Sequence, residues 1–466
     1  MLEGLEISEA DYSQVLVNKD YRTDSDFYTK AIKLNEKLKY TPIADILLDS
    51  QYGVSIEMNE QGQGYPIYRM NEIHNMICDF EVSKYADISA AEFEKFELND
   101  RDVLFNRTNS YEWVGRTGIF KKQSSKKFIF ASYLVRFVPN QRLVLPEYLS
   151  AFLSSKYGVQ EIKRRARQSI NQTNVNPEEV KAIMMPLLNM EIQEIIKNNF
   201  DGAILGISES EKLYSQAENL LLETLGMADF SPSAEKINIK SFKDSFAATS
   251  RLDAEYYQPK YEDYLMHILA YPTGFDSLAK VCNLKDSNYS PDDNVEYQYI
   301  ELSDIDKAGG ITGCTQAVGS ELPSRARRRI QAGDVLVSSI EGSLTSCAIV
   351  TKEYDGALCS TGFYVVDSNT INSESLLVLF KSELMQNILK QNCSGTILTA
   401  ISKNEFSNIP IPKIDIETQT KIAALVQQSF SLKTESERLL DAAKQAVETA
   451  IETNEDAALA WLASIH

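Results

Sequence analysis

The sequence predicts an α+β protein: two compact α+β domains separated by two long antiparallel coiled-coil helices, the whole forming a pseudo-twofold internal repeat. Three observations carry this. Motifs of the first half recur in order in the second half at a nearly constant offset. Each half holds short β-branched and aromatic runs bounded by turn residues. Each half then closes with a stretch whose apolar residues lie three and four apart.

The repeat is collinear. Arg22-Thr-Asp24-Ser-Asp-Phe-Tyr28 matches Arg251-Leu-Asp253-Ala-Glu-Tyr-Tyr257, an offset of 229. Tyr68–Ile73 sits over Ile300–Ile305, and Asp102-Val-Leu104 over Asp334-Val-Leu336, both at 232. Glu147-Tyr-Leu149 sits over Glu374-Ser-Leu376 at 227. Met185-Pro186, Gln193-x-x-Ile196 and Glu211-Lys-Leu213 recur as Ile411-Pro412, Gln419-x-x-Ile422 and Glu437-Arg-Leu439, all at 226. A drift of a few residues is what small loop insertions produce. The expected division is 1–186 for an N-terminal lead and first domain, 187–229 for a central long helix, 230–412 for a second domain with the lead repeated, and 413–466 for a C-terminal long helix.

Within the domains, Asp102–Phe105, Lys127–Phe130, Tyr133–Val138, Asp334–Val337 and Phe363–Val366 read as strands by length and β-branched or aromatic content. A helix is expected at Pro146–Arg167, with its partner near Ser373–Asn392. In the closing stretches, Ile192, Ile196, Phe200, Leu213, Ala217 and Leu221 form one apolar stripe, and Ile422, Val426, Leu440, Ala443 and Val447 form another. Their charged flanks (Glu209, Glu211, Lys212; Glu435, Glu437, Arg438) suit helices that pair with each other.

Composition bounds the function. With 466 residues, 43% apolar and 24% charged, the chain is ordinary globular material, enough for about three compact units. No run of about 18 apolar residues is present, so no membrane span is expected. The acidic start, Met1-Leu-Glu-Gly-Leu-Glu6, is unlike a signal peptide. Six scattered cysteines without a CxxC pair suit a reduced, cytoplasmic protein, and three distant histidines give no expectation of metal. The net charge of −19 argues against nucleic acid for the chain as a whole. Residues 101–170, however, hold fourteen Lys/Arg against four acids, a local +10 on a remainder of −29.

The motifs of chemistry are absent. There is no [DNS]PP[YFW] methyltransferase signature, no GxxxxGK[ST] phosphate cradle, no HExxH and no GxSxG. No catalytic residue is expected.

The ordered motifs resemble the specificity (S) subunits of type I restriction–modification systems. They are the duplicated Asp-Val-Leu strand (Asn99–Leu104; Ala332–Leu336) with its Asn/Ser-rich turn, the strand ending Ile183-Met-Met-Pro186 or Asn408–Pro412, the Gln-x-x-Ile helix start, the long helix, and the segment Cys393–Ser402. The repeated lead, 1–40 and 230–271, departs from simpler members. The resemblance implies two target recognition domains, each reading one half of a bipartite asymmetric site on double-stranded DNA. It implies long helices that bind two methyltransferase (M) subunits, with ATP-dependent restriction (R) subunits as further partners. This chain would then hold no cofactor, S-adenosylmethionine being expected on the M subunit. A spacer from Glu191 to Gly226 is 36 residues. That is about 54 Å of helix, or up to about 16 base pairs.

Base readout needs Arg, Asn, Gln, Glu or Ser side chains in a groove. Arg69, Asn71, Asn106, Arg107 and Asn109 are the candidates in the first domain. Glu301, Ser303, Ser338, Ser339 and Glu341 are their counterparts in the second. Arg116, Lys121, Lys122, Lys126 and Lys127, around an expected hairpin tip at Gln123–Ser125, would neutralise phosphates, as would Arg325, Arg327, Arg328 and Arg329. The run Lys163–Arg167 reads equally as backbone contact or as a helix face. Two competing readings share these features. One is a partner-binding scaffold or acidic DNA-mimic decoy, which suits −19. The other is a specificity subunit of a non-cleaving defence or methylation system.

Overall fold

The computed structural model describes residues 9–17, 21–122, 125–170, 172–395 and 399–465. It divides into two compact units. One comprises the chain up to Ile207 together with Lys433 onward; the other is Ser208–Leu432. Each long helix, Met190–Thr224 and Ile416–Glu452, therefore begins in one unit and ends in the other.

In the first unit a six-stranded sheet runs in the order Leu47–Tyr52, Leu134–Pro139, Val103–Asn106, Thr117–Ile119, Met76–Cys78, Ile73–His74. The predicted strand at Asp102 starts one residue later because Asp102 is a turn cap. Its carboxylate accepts from the Asn99 N–H at 2.8 Å and pairs with buried Arg136 at 3.4 Å. Asp334 repeats the device, accepting from the Gln331 N–H at 2.9 Å and pairing with Lys285 at 2.7 Å. The recurring Asp-Val-Leu motif is thus a turn cap followed by a buried central strand. A second, three-stranded sheet pairs Tyr65–Tyr68 with Ile129–Phe130 in parallel and with Tyr85–Ala86 antiparallel.

The second unit has two four-stranded sheets. One is Asn283–Leu284, Phe363–Asp367, Val335–Ser338, Cys347–Ile349; the other is Thr315–Val318, Glu296–Ile300, Leu358–Ser360, Ala326–Arg329. Glu296–Ile300 and Leu358–Ser360 are parallel, as are their counterparts in the first unit.

The single helix expected at Pro146–Arg167 is two helices, Pro146–Ser154 and Lys156–Arg165. Ser155 takes an extended conformation and caps the second helix by accepting from the Gly158 N–H at 3.2 Å. The partner breaks in the same way, into Ser373–Lys381 and Glu383–Gln391, at Ser382. A serine that caps a new helix stops the old one. The C-terminal helix also stops earlier than expected. Asn454 caps a separate helix, Glu455–Ile465, accepting from the Ala457 N–H at 2.8 Å. His466 lies outside the described residues.

The apolar stripes of the long helices do two jobs. In the first unit Ile192, Ile196, Phe200, Leu440, Ala443 and Val447 share one core with Phe105, Phe137, Leu149 and Phe152. The helices pair there antiparallel: Asn189, just before the first, donates its N–H to Glu455, just after the second, at 2.6 Å, and further along Gly202 faces Leu439. In the second unit Ala217, Leu221, Ile422 and Val426 join Val335, Leu376 and Phe380, and the Ser210 and Ser429 hydroxyls meet at 2.9 Å. Each half-helix is both a coiled-coil partner and a wall of its domain's core.

Candidate nucleic-acid interface

In the first unit two neighbouring stretches present polar side chains to solvent. After the central strand, Thr108–Asn109 pairs antiparallel with Thr173–Asn174, which pairs with Arg167–Gln168. This three-stranded ribbon is fixed by Thr108 donating to Asn174 Oδ1 at 2.6 Å. Arg167, Gln168, Ser169, Ile170 and Gln172 are exposed, and Asn109 and Asn174 are half-buried. Because Thr173 lies opposite Asn109, the hairpin tip projects from the end at which the 110–116 loop departs. Asn171, within that tip, lies outside the described residues.

Sequence reasoning missed the hairpin. It read Lys163–Arg167 as one basic run, whereas only Arg167 of that run reaches the exposed ribbon. Lys163 donates to the carbonyls of Tyr111, Glu112 (3.0 Å) and Val114 (3.1 Å) and so pins the loop. Arg164 and Arg165 pair with buried Glu161, and Arg164 donates to the Phe27 carbonyl at 2.7 Å, fastening the lead. The clue was Arg167-Gln168…Gln172-x-Asn174, amide and guanidinium side chains bracketing a turn.

Asn106 is corrected. It is fully buried at the end of the central strand, donating to the Trp113 carbonyl at 3.4 Å and accepting from the Thr108 N–H at 3.3 Å. It shapes the loop and has no edge to present to a base. Arg107 is half-buried, over the Tyr52 ring at 5.2 Å. Arg69 is tied to Glu72 by its side chain, while Asn71, on the 3-10 turn Met70–Glu72, is exposed. Arg116 sits over Trp113, its Cζ 3.4 Å from the ring centroid, and burial holds its pKa below the usual value. It lines a cleft of about 350 Å³ with His74, Lys163 and Lys444.

Of the expected phosphate anchors, Lys121 pairs with Asp100 and Asp201, each at 3.7 Å, and Lys127 with Glu97 at 3.6 Å. Lys126 sits over the Tyr85 and Phe128 rings, and Lys122 is exposed. Gln123 and Ser124 of the expected hairpin tip lie outside the described residues.

The second unit repeats the ribbon. Glu341 N–H donates to the Thr399 carbonyl at 3.0 Å, Ile401 N–H donates to the Ser339 carbonyl at 2.9 Å, and Cys393–Ser394 pairs with Ala400–Ile401.

A family model described as a type I restriction modification DNA specificity domain matches residues 277–443. The chain resembles type I specificity subunits.

Over 215 residues it is 25% identical to a type I restriction enzyme MjaX specificity subunit of Methanocaldococcus jannaschii, covering 45% of this chain and 50% of that one. Over 155 residues it is 28% identical to the type I restriction enzyme EcoKI specificity subunit of Escherichia coli, 33% of each. The chain thus matches half or less of these relatives' own length. A crystal structure of a type I restriction-modification S subunit from M. genitalium aligns over 92% of this chain and 98% of that one, at 14% identity and a TM-score of 0.39.

Within the matched segment, Ser338 and Ser339 do not stand where the sequence suggests. Both are buried: Ser339 donates to the Gly362 carbonyl at 2.8 Å, and the Ser338 and Ser343 hydroxyls meet at 3.1 Å. They hold the strand end in place. Glu341 is half-buried on a 3-10 turn, and Ser303 is exposed on another, Leu302–Asp304. Glu301 pairs with Arg325 at 3.1 Å, which neutralises both. Arg325–Arg329 is no loose surface run, because Ala326–Arg329 is a sheet-edge strand. Arg328 is spent on the Asp286 carbonyl and on Asn288 at 3.1 Å, and Arg327 donates to the Ser324 carbonyl at 3.0 Å. Arg329 is exposed over Tyr289. Residues 396–398 of the Cys393–Ser402 segment lie outside the described residues. Among the described residues no three His, Cys, Asp or Glu side chains could hold a metal ion, and no helix is long and apolar enough to cross a membrane.

Proposed function

We propose that this chain is the DNA-reading subunit of a type I system: each unit reads one half of a bipartite, asymmetric site, and the chain directs adenine-N6 methyltransferase subunits to it. One observation carries the reading. The same ribbon, a strand leaving the central sheet and pairing with a hairpin, is built twice on one scaffold with different polar side chains. Arg167, Gln168, Gln172 and Asn109 offer donors and acceptors in the first unit; Glu341 and Ser394 stand at the corresponding places in the second. Guanidinium and amide groups favour guanine and adenine edges, and a carboxylate accepts from cytosine N4. Different side chains on a repeated frame are what an asymmetric site requires.

In this reading the chain does no chemistry and binds no cofactor. The methyl donor S-adenosylmethionine belongs to two methyltransferase partners, and restriction subunits add ATP-driven cleavage where the system has them. The test is the adenine methylome of the source cell with and without this chain. Loss of N6-methylation at one bipartite motif, both halves together, supports the reading. An unchanged methylome contradicts it and favours the acidic scaffold or decoy.

A further inference from the structure

The first unit's ribbon carries apolar groups that hydrogen-bond readout does not explain. In the loop after Asn109, Tyr111 is 46% and Trp113 43% exposed, and Ile170 at the hairpin tip is fully exposed. The tip projects from the end at which this loop departs, and large apolar side chains turned to solvent mark a contact surface. The loop that bears them is rigid. Lys163 holds three of its carbonyls, Val114 N–H donates to the Ser110 carbonyl at 3.0 Å, and Gly115 N–H donates to the Asn106 carbonyl at 2.8 Å. Gly115 sits at φ +95° with Ile162 Cγ2 only 2.6 Å from where a Cβ would stand, so the turn closes tightly on the domain. With most of its carbonyls engaged, the loop presents rings.

A cation lies on each ring: Arg116 at 3.4 Å from the Trp113 centroid and Lys163 at 4.8 Å from that of Tyr111. A guanidinium stacked on one indole face orients the ring and brings positive charge beside it. The surrounding segment, 101–170, is the chain's strongly basic stretch. Rigid aromatic groups framed by cations fit bases flanked by phosphates, and apolar side chains that enter between base steps unstack them.

We propose that Trp113, with Tyr111 and Ile170, forms an apolar wedge that stacks on bases of duplex DNA in the half-site read by the first unit. This rests on the DNA-reading function above. The second unit's equivalent stretch, Ser338–Ser346, contains no aromatic residue, so aromatic stacking belongs to one half of the site.

The chain has two tryptophans, so W461F leaves Trp113 as the sole indole. The probe is a duplex of about 40 base pairs bearing the motif that the methylome defines, added to the full-length chain. On binding, indole emission should fall by half or more. W113A should bind about tenfold more weakly at an unchanged melting temperature, and W113F should recover most of the loss. Duplex binding with unchanged emission, and W113A within twofold of the parent, would overturn the wedge and leave the DNA reading intact. Quenching by single-stranded but not duplex DNA would also overturn it. No duplex binding even at low salt would remove both.

Discussion

Gln193, in the first turn of the first long helix, accepts a hydrogen bond from the Leu145 N–H at 2.8 Å. Its buried amide nitrogen donates to the carbonyls of Leu143 (3.1 Å) and Leu188 (2.9 Å). Gln419 does the same in the other unit, accepting from Asn372 N–H and donating to the Thr370 carbonyl, each at 3.0 Å, and to the Ile414 carbonyl at 2.9 Å. The repeated glutamine is the clamp between each long helix and the helix pair that supports its ribbon.

Replacing Gln193 with Ala strands a buried N–H and two carbonyls, at a cost of about 2–4 kcal/mol. Thermal unfolding should show a drop of roughly 5–10 °C. Gln193→Glu should be no better, since a carboxylate would face two carbonyls. A variant that melts with the parent would deny the clamp its role.

Glu161 gives the first unit an acid-sensitive joint. Burial alone would push its carboxyl up; the hydrogen bond from Arg164 and the charges of Arg165 and Arg164 outweigh this and hold it below the usual range. A carboxyl lowered on folding adds stability above its unfolded pKa of about 4.3, and that stability drains as pH falls through the lower folded value. Denaturant unfolding at pH 7, 5, 4 and 3 should show E161Q weaker by about 3 kcal/mol at pH 7, because buried Arg165 keeps only its longer contact with Glu179 at 4.0 Å. The gap should narrow below pH 4.

Gly115 allows no side chain. Gly115→Ala places a Cβ 2.6 Å from Ile162 Cγ2 at a φ that L-residues rarely adopt. The expected loss is about 1–3 kcal/mol. Since the strain lands on the 110–116 loop, affinity for DNA should fall more than the melting temperature suggests. Loss of stability with full affinity would separate the loop from the interface.

Lys122 is an exposed cation of the basic segment, suited to a phosphate. Lys122→Ala should reduce the slope of log affinity against log salt by about 1, uniformly across sequences. An altered sequence preference would instead place it at a base edge.

The repeat, the strands and the long helices were legible in the sequence because each rests on local periodicity or on a short motif copied twice. What was not legible depended on partners distant in sequence. Asn106 and Ser339 are polar residues beside turns, and the sequence cannot reveal that they are buried against Trp113 and Gly362. Lys163–Arg165 reads as a basic surface until Glu161 and the loop carbonyls at 111–114 come beside it. The breaks at Ser155 and Ser382 are capping events, signalled by serine alone, in stretches otherwise apolar enough to continue. The hairpin Arg167–Asn174 emerged only from its pairing with Thr108–Asn109.

The central claim is that two ribbons read two separate half-sites. The direct measurement is the adenine methylome of cells carrying the chain with Arg167, Gln168 and Gln172 replaced by Ala, beside cells carrying the parent. The account predicts that one half of the bipartite motif relaxes to accept other bases while the other half stays as stringent as before. A motif unchanged in both halves, from a variant that is expressed and folded, would contradict it.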